Sequence, residues 1–460
     1  MRVYFHTFGC KANQYDTERM RQEVEARGGR PVTGWAEADV CVVNTCTVTN
    51  QADAEARRLV RRLRRENEGV PVVVAGCSAA LHGADYARLR GVASVVEGHD
   101  PVAVADAVSR AASQAVWHAV PAGGVPAAVD GSARPGGLVR IELRRALDRV
   151  HSEPVGAELL RARRGATRGW LKVQDGCDRK CSFCATRLAR GASRSRPPDD
   201  VVAEARLLAA AHPELVVTGI HIGQYGEDLD GGWTLSRLVA LLLERVPDVR
   251  LRLGSVEATE VDDSLVELLA TSGGRLAPHL HMPLQSGSDR VLRHMRRWHT
   301  REMYRSRALE IVRRASPLGL GADVITGFPG ETEDDHSATR ELIEELPFTY
   351  LHVFPFSPRD DTAAAALWRE RPVPQRVAGE RGRDLRDLAR TKGERYRRSR
   401  EGEEARISLE GDGCLGLTGD YLRVDVRGGG DRDRGRLHEG VLRGHGGHLY
   451  IDLSQPSASN

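Results

Sequence analysis

The chain lacks long apolar runs and any excess of one charge, and it has few cysteines. No stretch of its 460 residues approaches the roughly 18 to 20 consecutive apolar residues that a membrane span needs, so no membrane partner is expected. The first residues, MRVYFHTFGC, carry no basic-then-apolar leader and no small-residue cleavage site. A cytoplasmic protein is therefore expected. Lys and Arg total 67 against 64 Asp and Glu, so the net charge of +3 does not make the whole chain a polycation. There are only 8 cysteines, and in a reducing compartment they are expected as ligands or buried thiols rather than disulfides. No internal repeat of fixed period occurs.

What is present is unevenly distributed. Residues 161–200 carry 11 Lys/Arg against 4 Asp/Glu, and residues 371–400 repeat that balance. Two such blocks point to a polyanionic partner, although arginines on a solvated helix face give the same pattern. At 460 residues the chain should form two or three domains. Over the first hundred residues, short β-branched runs (VYFH, ADVCVVN, VPVVVAG) alternate with helical stretches such as TERMRQEVEARGG, which predicts an open parallel α/β domain over 1–111. An Ala-, Gly- and Pro-rich linker or insertion is expected over 112–162.

Six further strand-like runs follow: GWLKVQ, PELVVTG, VRLRLGS, PHLHMPL, LGADVITG and TYLHVFPF. Helical segments separate them, which predicts a partial (βα)6 barrel over 163–398, ending in a basic helix near 375–400. The polar segment after each strand should face one mouth, where such barrels place their active sites. Short alternating strands with Gly turns predict a small all-β barrel over 399–460.

Two groups of cysteines carry the chemistry. Cys177, Cys181 and Cys184, spaced C-x3-C-x2-C, follow the first barrel strand within a loop of six basic residues, GCDRKCSFCATRLARGASRSRP. Thiolates so close repel one another and need a cation. Structural zinc wants a fourth ligand that is not near in sequence, whereas an iron–sulfur cubane on three cysteines leaves one iron open. Buried thiols or zinc remain readings of the same spacing. Cys10, Cys46 and Cys77 are far apart, yet each lies just past a predicted strand, where the carboxyl ends of a parallel sheet gather. They form a candidate second cluster site, against the reading that they are ordinary small apolar residues. Cys41, within its strand, and the isolated Cys414 are expected in cores.

The C-x3-C-x2-C loop on a six-unit barrel, with Phe183 before the third cysteine, resembles the radical S-adenosylmethionine superfamily. With the N-terminal triad and the strings FGCKANQYDTE, VVNTCTVT, RGASRSRP, HMPLQSGSDRVLRHMRR, TGFPGETEDD and HVFPFSPR, nearly the whole chain resembles the radical methylthiotransferase family. ELVVTGIHIGQYGEDL is most similar to the branch acting on N6-threonylcarbamoyladenosine in tRNA. Sister branches act on isopentenyladenosine or on a ribosomal-protein aspartate.

The resemblance implies two 4Fe–4S clusters and S-adenosylmethionine. The cluster on Cys177, Cys181 and Cys184 would generate a radical, and the cluster on Cys10, Cys46 and Cys77 would hold or donate sulfur. It implies cofactor contacts at Thr218, Gly219, Glu257, Gln285, Ser286 and Gly327, each of which could equally be a plain turn or cap residue. It implies as partners the tRNA anticodon stem-loop, with position 37 as target, an electron donor of flavodoxin or ferredoxin type and a sulfur donor. Arg187, Arg190, Arg194 and Arg196 are expected to meet anionic cofactor groups or tRNA phosphates. The last module resembles the small TRAM-like RNA-binding barrel of this family, although residues 401–460 carry 7 Lys/Arg against 11 Asp/Glu. Tyr421 there could stack on a base or simply pack.

The chain departs from the family pattern in AGCSAALHG, and in CATRLARG, which lacks a proline often found past the third cysteine. A radical enzyme acting on a protein side chain and a non-catalytic RNA-binding protein stapled by zinc remain rival readings.

Overall fold

The computed structural model describes residues 1–67, 69–118, 159–430, 433–445 and 447–454. Most of the expected linker, 119–158, lies outside the described residues. Contacts divide the chain into two compact units, Met1–Pro154 with Ala185–Ala192, and Val155–Cys184 with Ser193–Asn460.

In the first unit, β-branched runs pair as a five-stranded parallel sheet. Its strands are β1 (Arg2–Thr7), β2 (Arg30–Val32), β3 (Val40–Thr45), β4 (Val72–Gly76) and β5 (Val92–Val95), in the order β2-β1-β3-β4-β5. Four helices cross over between or after them: α1 (Lys11–Ala26), α2 (Asn50–Glu66), α3 (Cys77–Ala87) and α4 (Pro101–His118). The period of two along each strand divides the core. Val3, Phe5, Val40, Val42 and Val73 pack against Met20 and Val24 of α1 and Val104 and Val108 of α4. Tyr4, Cys41, Val43, Val72 and Val74 pack on the other face against Ala56, Val60 and Leu63 of α2 and Tyr86 of α3. This is the open α/β architecture expected, with Cys41 in the core as expected.

The second unit begins with β6 (Arg168–Lys172). The two-residue ladder of β7 (Gln174–Asp175) with β8 (Arg194–Ser195) is antiparallel and frames the cysteine loop; helix α5 (Thr186–Arg190), between them in sequence, belongs to the first unit. Parallel strands β9 (Glu214–Thr218), β10 (Arg250–Leu253), β11 (His279–His281), β12 (Gly319–Thr326) and β13 (Tyr350–Pro355) follow. Ladders join them as β10-β9-β6 and β11-β12-β13, and bridges Leu251↔Leu276 and Ser255↔His281 link the two sets. Six parallel strands with helices between them form the expected partial barrel. These helices are α6 (Pro198–Ala209), α7 (Leu235–Arg245), α8 (Asp263–Thr271), α9 (Asp289–His294), α10 (Arg301–Arg314) and α11 (Glu333–Glu345). The acidic start of α11, within TGFPGETEDD, is a capping box in which Thr332 and Asp335 bond reciprocally.

Past α12 (Ala363–Glu370), the basic segment forms α13 (Gln375–Ser399). The C-terminal sheet comprises β14 (Glu404–Glu410), β15 (Leu415–Thr418), β16 (Arg423–Arg427), β17 (Leu437–Val441), β18 (Arg443–His445) and β19 (His448–Asp452). Its order β17-β14-β15-β16-β19-β18 curls into a half-barrel around Ile407, Leu409, Val424 and Ile451. Cys414, expected in this core, is exposed instead: it sits in the turn before β15, where its N–H donates to Asp412 Oδ1 at 3.0 Å.

The half-barrel is fastened to the amino ends of β9 and β10 by a buried ion triad. Glu214 accepts from Arg250 Nε at 2.6 Å and Arg252 Nε at 2.7 Å. The same guanidinium groups donate to the carbonyls of Arg406, Thr418 and Gly419 at 2.7–2.8 Å. Burial alone would raise the Glu214 carboxyl, but Arg250 and Arg252 outweigh it and hold the pKa at about 2. No helix among the described residues is long and apolar enough to cross a membrane.

Candidate functional site

In the first unit β1, β3 and β4 are sheet neighbours, and the three expected cysteines stand at their carboxyl ends. Cys10 caps α1, Cys46 follows β3 directly, and Cys77 opens α3. Gly76 permits the last turn: its φ is +99°, and a Cβ there would lie 2.6 Å from the Thr45 nitrogen. Asn13 knits the strand ends together, donating to the carbonyls of Phe8 at 2.9 Å and Thr45 at 2.8 Å.

Arg190, on α5, has a fully buried side chain aimed at this group. Its Nε donates to Cys77 Sγ at 3.3 Å, and its Nη2 donates to Asn13 Oδ1 at 2.6 Å and to Asp16 Oδ2 at 2.7 Å. The backbone N–H of Val48 donates to Cys46 Sγ at 3.3 Å. Burial pushes the Cys77 thiol up to about 12, with Arg190 pulling the other way and Cys10 and Cys46 adding to the rise. Burial likewise raises Cys46. Thiolates in this setting require a cation of their own. Three cysteines at the ends of neighbouring strands, with an arginine and an amide N–H already directed at two of their sulfurs, fit an iron–sulfur cluster, whose sulfur ligands are tuned by such hydrogen bonds.

In the second unit, Gln174 organises the cysteine loop. Its Nε2 donates to the carbonyls of Asp175 and Gly176 and to Ser193 Oγ at 2.8–3.0 Å, while its Oε1 accepts from the N–H groups of Ile220 and His221. Ser182 pins the loop to the end of α9, its N–H bonding Met295 O and its Oγ bonding His294 O. Phe183 packs with Val291, Met295, Phe328 and Phe356.

Two cysteines have charged neighbours. Cys177 Sγ lies 3.4 Å from His221 Nδ1, and His221 Nε2 lies 2.7 Å from Glu260, which also accepts from Arg179 at 2.9 Å. Burial would lower His221, but Cys177 and Glu260 hold it up at about 9. Arg297 Nη1 donates to Cys181 Sγ at 3.6 Å while its Nη2 pairs with Glu257. Burial pushes Cys181 up to about 11 against the pull of Arg297. This donor set fits a second cluster by the same argument, and the described residues add no fourth cysteine to it.

The other expected contacts fall into two groups. Thr218 ends β9 and is buried; Gly219 follows it against Gln174; Glu257 is tied to Cys181 through Arg297. Gln285, at φ +65°, bridges to Val324 of β12. Ser286 and Gly327 are committed internally: the Ser286 hydroxyl bonds Thr339 and the Ser288 N–H, and the Gly327 N–H donates to Glu331 at 2.7 Å.

Two of the arginines expected to face a polyanion do not. Arg190 and Arg196 are buried, paired with Asp16 and with Glu204 respectively, because a carboxylate in the fold claims each. Arg187 is exposed and Arg194 half-buried. Tyr421 packs: its ring stacks on His279 at 4.3 Å, and the Arg252 guanidinium lies over the same Tyr421 ring at 5.4 Å from its centroid.

Gln174, His221, Glu260 and Arg297 were not singled out from sequence, although His221 lies within ELVVTGIHIGQYGEDL and Arg297 closes HMPLQSGSDRVLRHMRR. Nor was the group His281, Asp323 and His352, one from each of β11, β12 and β13, whose donor atoms lie within 4.8 Å of one another. Such a set can hold a metal ion; within it Asp323 Oδ1 is shared by His281 Nε2 at 3.0 Å and His352 Nδ1 at 3.2 Å.

Comparison with known proteins bears on both units. The model of "Uncharacterized protein family UPF0004" matches residues 2–98, and that of the "Radical SAM superfamily" matches residues 171–343. Threonylcarbamoyladenosine tRNA methylthiotransferase MtaB of Bacillus subtilis is 34% identical over 93% of this chain and 90% of its own. The protein of the same name from Thermotoga maritima is 33% identical over 92% and 90%. A tRNA-2-methylthio-N(6)-dimethylallyladenosine synthase of Erythrobacter litoralis is 34% identical over 82% and 79%. Among solved structures, the radical S-adenosylmethionine methyltransferase TsrM of Kitasatospora setae superposes with a TM-score of 0.52 at 18% identity, covering 77% of this chain and 72% of that one, a likeness of fold.

Proposed function

Since the chain belongs to the radical S-adenosylmethionine tRNA methylthiotransferase family, we propose that it replaces the C2 hydrogen of N6-threonylcarbamoyladenosine in tRNA with a methylthio group. The observation that carries this reading is the pair of thiol trios, Cys10, Cys46 and Cys77 on one unit and Cys177, Cys181 and Cys184 on the other, each with an arginine directed at one of its sulfurs. Relatives bearing the threonylcarbamoyladenosine name span both units.

Iron–sulfur clusters with S-adenosylmethionine supply the radical chemistry that an unactivated C–H bond needs and that side-chain acids and bases cannot deliver. The chain's own residues prepare the sites. Cys177, Cys181 and Cys184 would hold one cluster, with Gln174 fixing the loop and Arg297 holding Cys181 against Glu257. Cys10, Cys46 and Cys77 would hold the other, with Arg190 compensating its negative charge. Thr218, Gly219, Glu257 and Gln285 stand at or near strand ends where S-adenosylmethionine would bind, while Ser286 and Gly327 shape the turns behind them. A one-electron donor of flavodoxin or ferredoxin type and a sulfur donor complete the stoichiometry.

The relative that acts on dimethylallyladenosine supports a second substrate reading. Incubating the anaerobically reconstituted protein with S-adenosylmethionine, a reductant and tRNA bearing either nucleoside, followed by nucleoside mass spectrometry, separates the two. A methylthio mass gain on threonylcarbamoyladenosine is expected; a gain confined to the isopentenyl nucleoside would refute the reading.

A further inference from the structure

One face of β11–β13 carries polar groups that the cluster sites do not use. Leu320, Ala322 and Val324 of β12 are fully buried on the opposite face. Gly321 and Asp323 lie on the first face with Tyr350 and His352 of β13, and Gly321 is needed there because a Cβ would collide with the Tyr350 ring.

The hydrogen bonds at Asp323 are lopsided. His281 Nε2 approaches its Oδ1 at 3.0 Å and His352 Nδ1 approaches the same oxygen at 3.2 Å. Oδ2 has no partner among the described residues, and the carboxylate is about a quarter exposed. His281 is spent on both sides, because its Nδ1 bonds the Tyr350 hydroxyl at 3.1 Å, which in turn meets His279 Nε2 at 2.8 Å. His352 is not. With Nδ1 turned to Asp323, its Nε2 is without a partner among the described residues, and its side chain is 52% exposed. Beyond it Phe354 is 45% exposed, 6.3 Å ring to ring, while His281 lies 5.2 Å away on the other side. The result is a wall of aromatic rings with an open carboxylate oxygen and an open imidazole nitrogen in its middle.

The wall lies beside the cysteine loop. Arg297, which donates to Cys181 Sγ, also donates to the carbonyl of Pro283, two residues past His281. The N–H of Val256, next to Glu257, donates to the His281 carbonyl at 3.0 Å, and the N–H of Gln285 donates to the Asp323 carbonyl at 2.8 Å. Burial would raise Asp323, but the hydrogen bonds from His281 and His352 hold it well below the usual carboxylate range, so an acceptor is always presented.

We propose that Asp323 and His352 form the subsite that reads the substituent on N6 of the substrate adenine and make the enzyme selective for a polar, hydrogen-bonding one. This rests on the reading of the chain as an adenosine methylthiotransferase. The carbamoyl N–H donates to Asp323 Oδ2, and the threonyl hydroxyl donates to His352 Nε2, which accepts because Nδ1–H is turned to Asp323. An isopentenyl group offers no donor, so it would cover Oδ2 and leave it unpaired. Sites built to hydrogen-bond a group reject analogues without it far more strongly than apolar pockets reject a hydroxyl. His281 and Tyr350 are positioning residues, fixing the carboxylate through Oδ1.

The test measures binding of anticodon stem-loops carrying threonylcarbamoyladenosine, isopentenyladenosine or plain adenosine to the reconstituted holoenzyme by fluorescence anisotropy, together with kcat and KM for methylthio formation. The wild type should favour threonylcarbamoyladenosine. His352→Phe, at a half-exposed position that tolerates a ring, and Asp323→Asn should each shrink that preference tenfold or more, mainly through KM, with iron content and melting temperature retained. An unchanged preference in His352→Phe with iron retained overturns the inference even if Asp323→Asn fails to fold. Absence of any wild-type turnover on threonylcarbamoyladenosine, with turnover on the isopentenyl nucleoside, overturns the substrate reading instead.

Discussion

The buried pair of Arg190 with Asp16 offers the sharpest energetic test of how the first cysteine trio is held. Arg190 Nη2 lies 2.7 Å from Asp16 Oδ2 and both side chains are nearly inaccessible, at 0% and 5%. Two unit charges about 4 Å apart at an effective dielectric near 20 interact by about 4 kcal/mol. Removing one partner of such a pair typically costs about 3–5 kcal/mol, because the other stays buried and uncompensated. Arg190→Gln also removes the N–H directed at Cys77. Arg190→Gln, Asp16→Asn and the double variant form a thermodynamic cycle, read by hydrogen exchange of peptides from residues 11–26 and 72–87. The two singles should sum to well over the double, with a coupling of about 1–3 kcal/mol. Strict additivity would refute the assignment of Arg190 as the cationic brace of this trio.

Three further outcomes follow. Glu214→Gln should destabilise the second unit by about 3–5 kcal/mol, leaving Arg250 and Arg252 buried and unpaired, as read by urea denaturation; a loss below about 1 kcal/mol would contradict it. Because the folded pKa of Glu214 is depressed to about 2, its stabilisation is complete above the unfolded carboxylate value near 4.3 and is lost as pH falls through about 2, so acid titration of the wild type should show a low-pH loss that Glu214→Gln lacks. Gly76→Ala should disorder the turn that presents Cys77 and lower iron retention in the first unit while leaving the second unit's melting transition in place, which calorimetry and iron assay would show.

Much of this architecture was legible because the strands are uninterrupted β-branched runs and the cysteines sit at fixed places after them. VCVVN and VVVAG read as buried parallel strands without help, and Cys46 and Cys77 follow directly. The edge strands RPV and VASV were not legible, being short and only half-buried. The arginines show the limit of local charge counting. Arg196 pairs with Glu204 eight residues away, but Arg190 pairs with Asp16 across 174 residues, and neither partnership leaves a mark in a window of sequence. The same holds for His281, Asp323 and His352, which only the parallel register of three strands brings together. Cys414 misled because an isolated cysteine is usually buried, whereas a Gly-flanked turn holds this one at the surface.

The account depends most on two separate cluster sites, and iron and sulfide content of the anaerobically prepared protein tests that directly. The wild type should hold about eight irons, as two cubanes require. Replacing Cys10, Cys46 and Cys77 together with alanine should leave about four, and so should replacing Cys177, Cys181 and Cys184. Zinc in place of iron, or a triple variant that keeps the full complement, would contradict it.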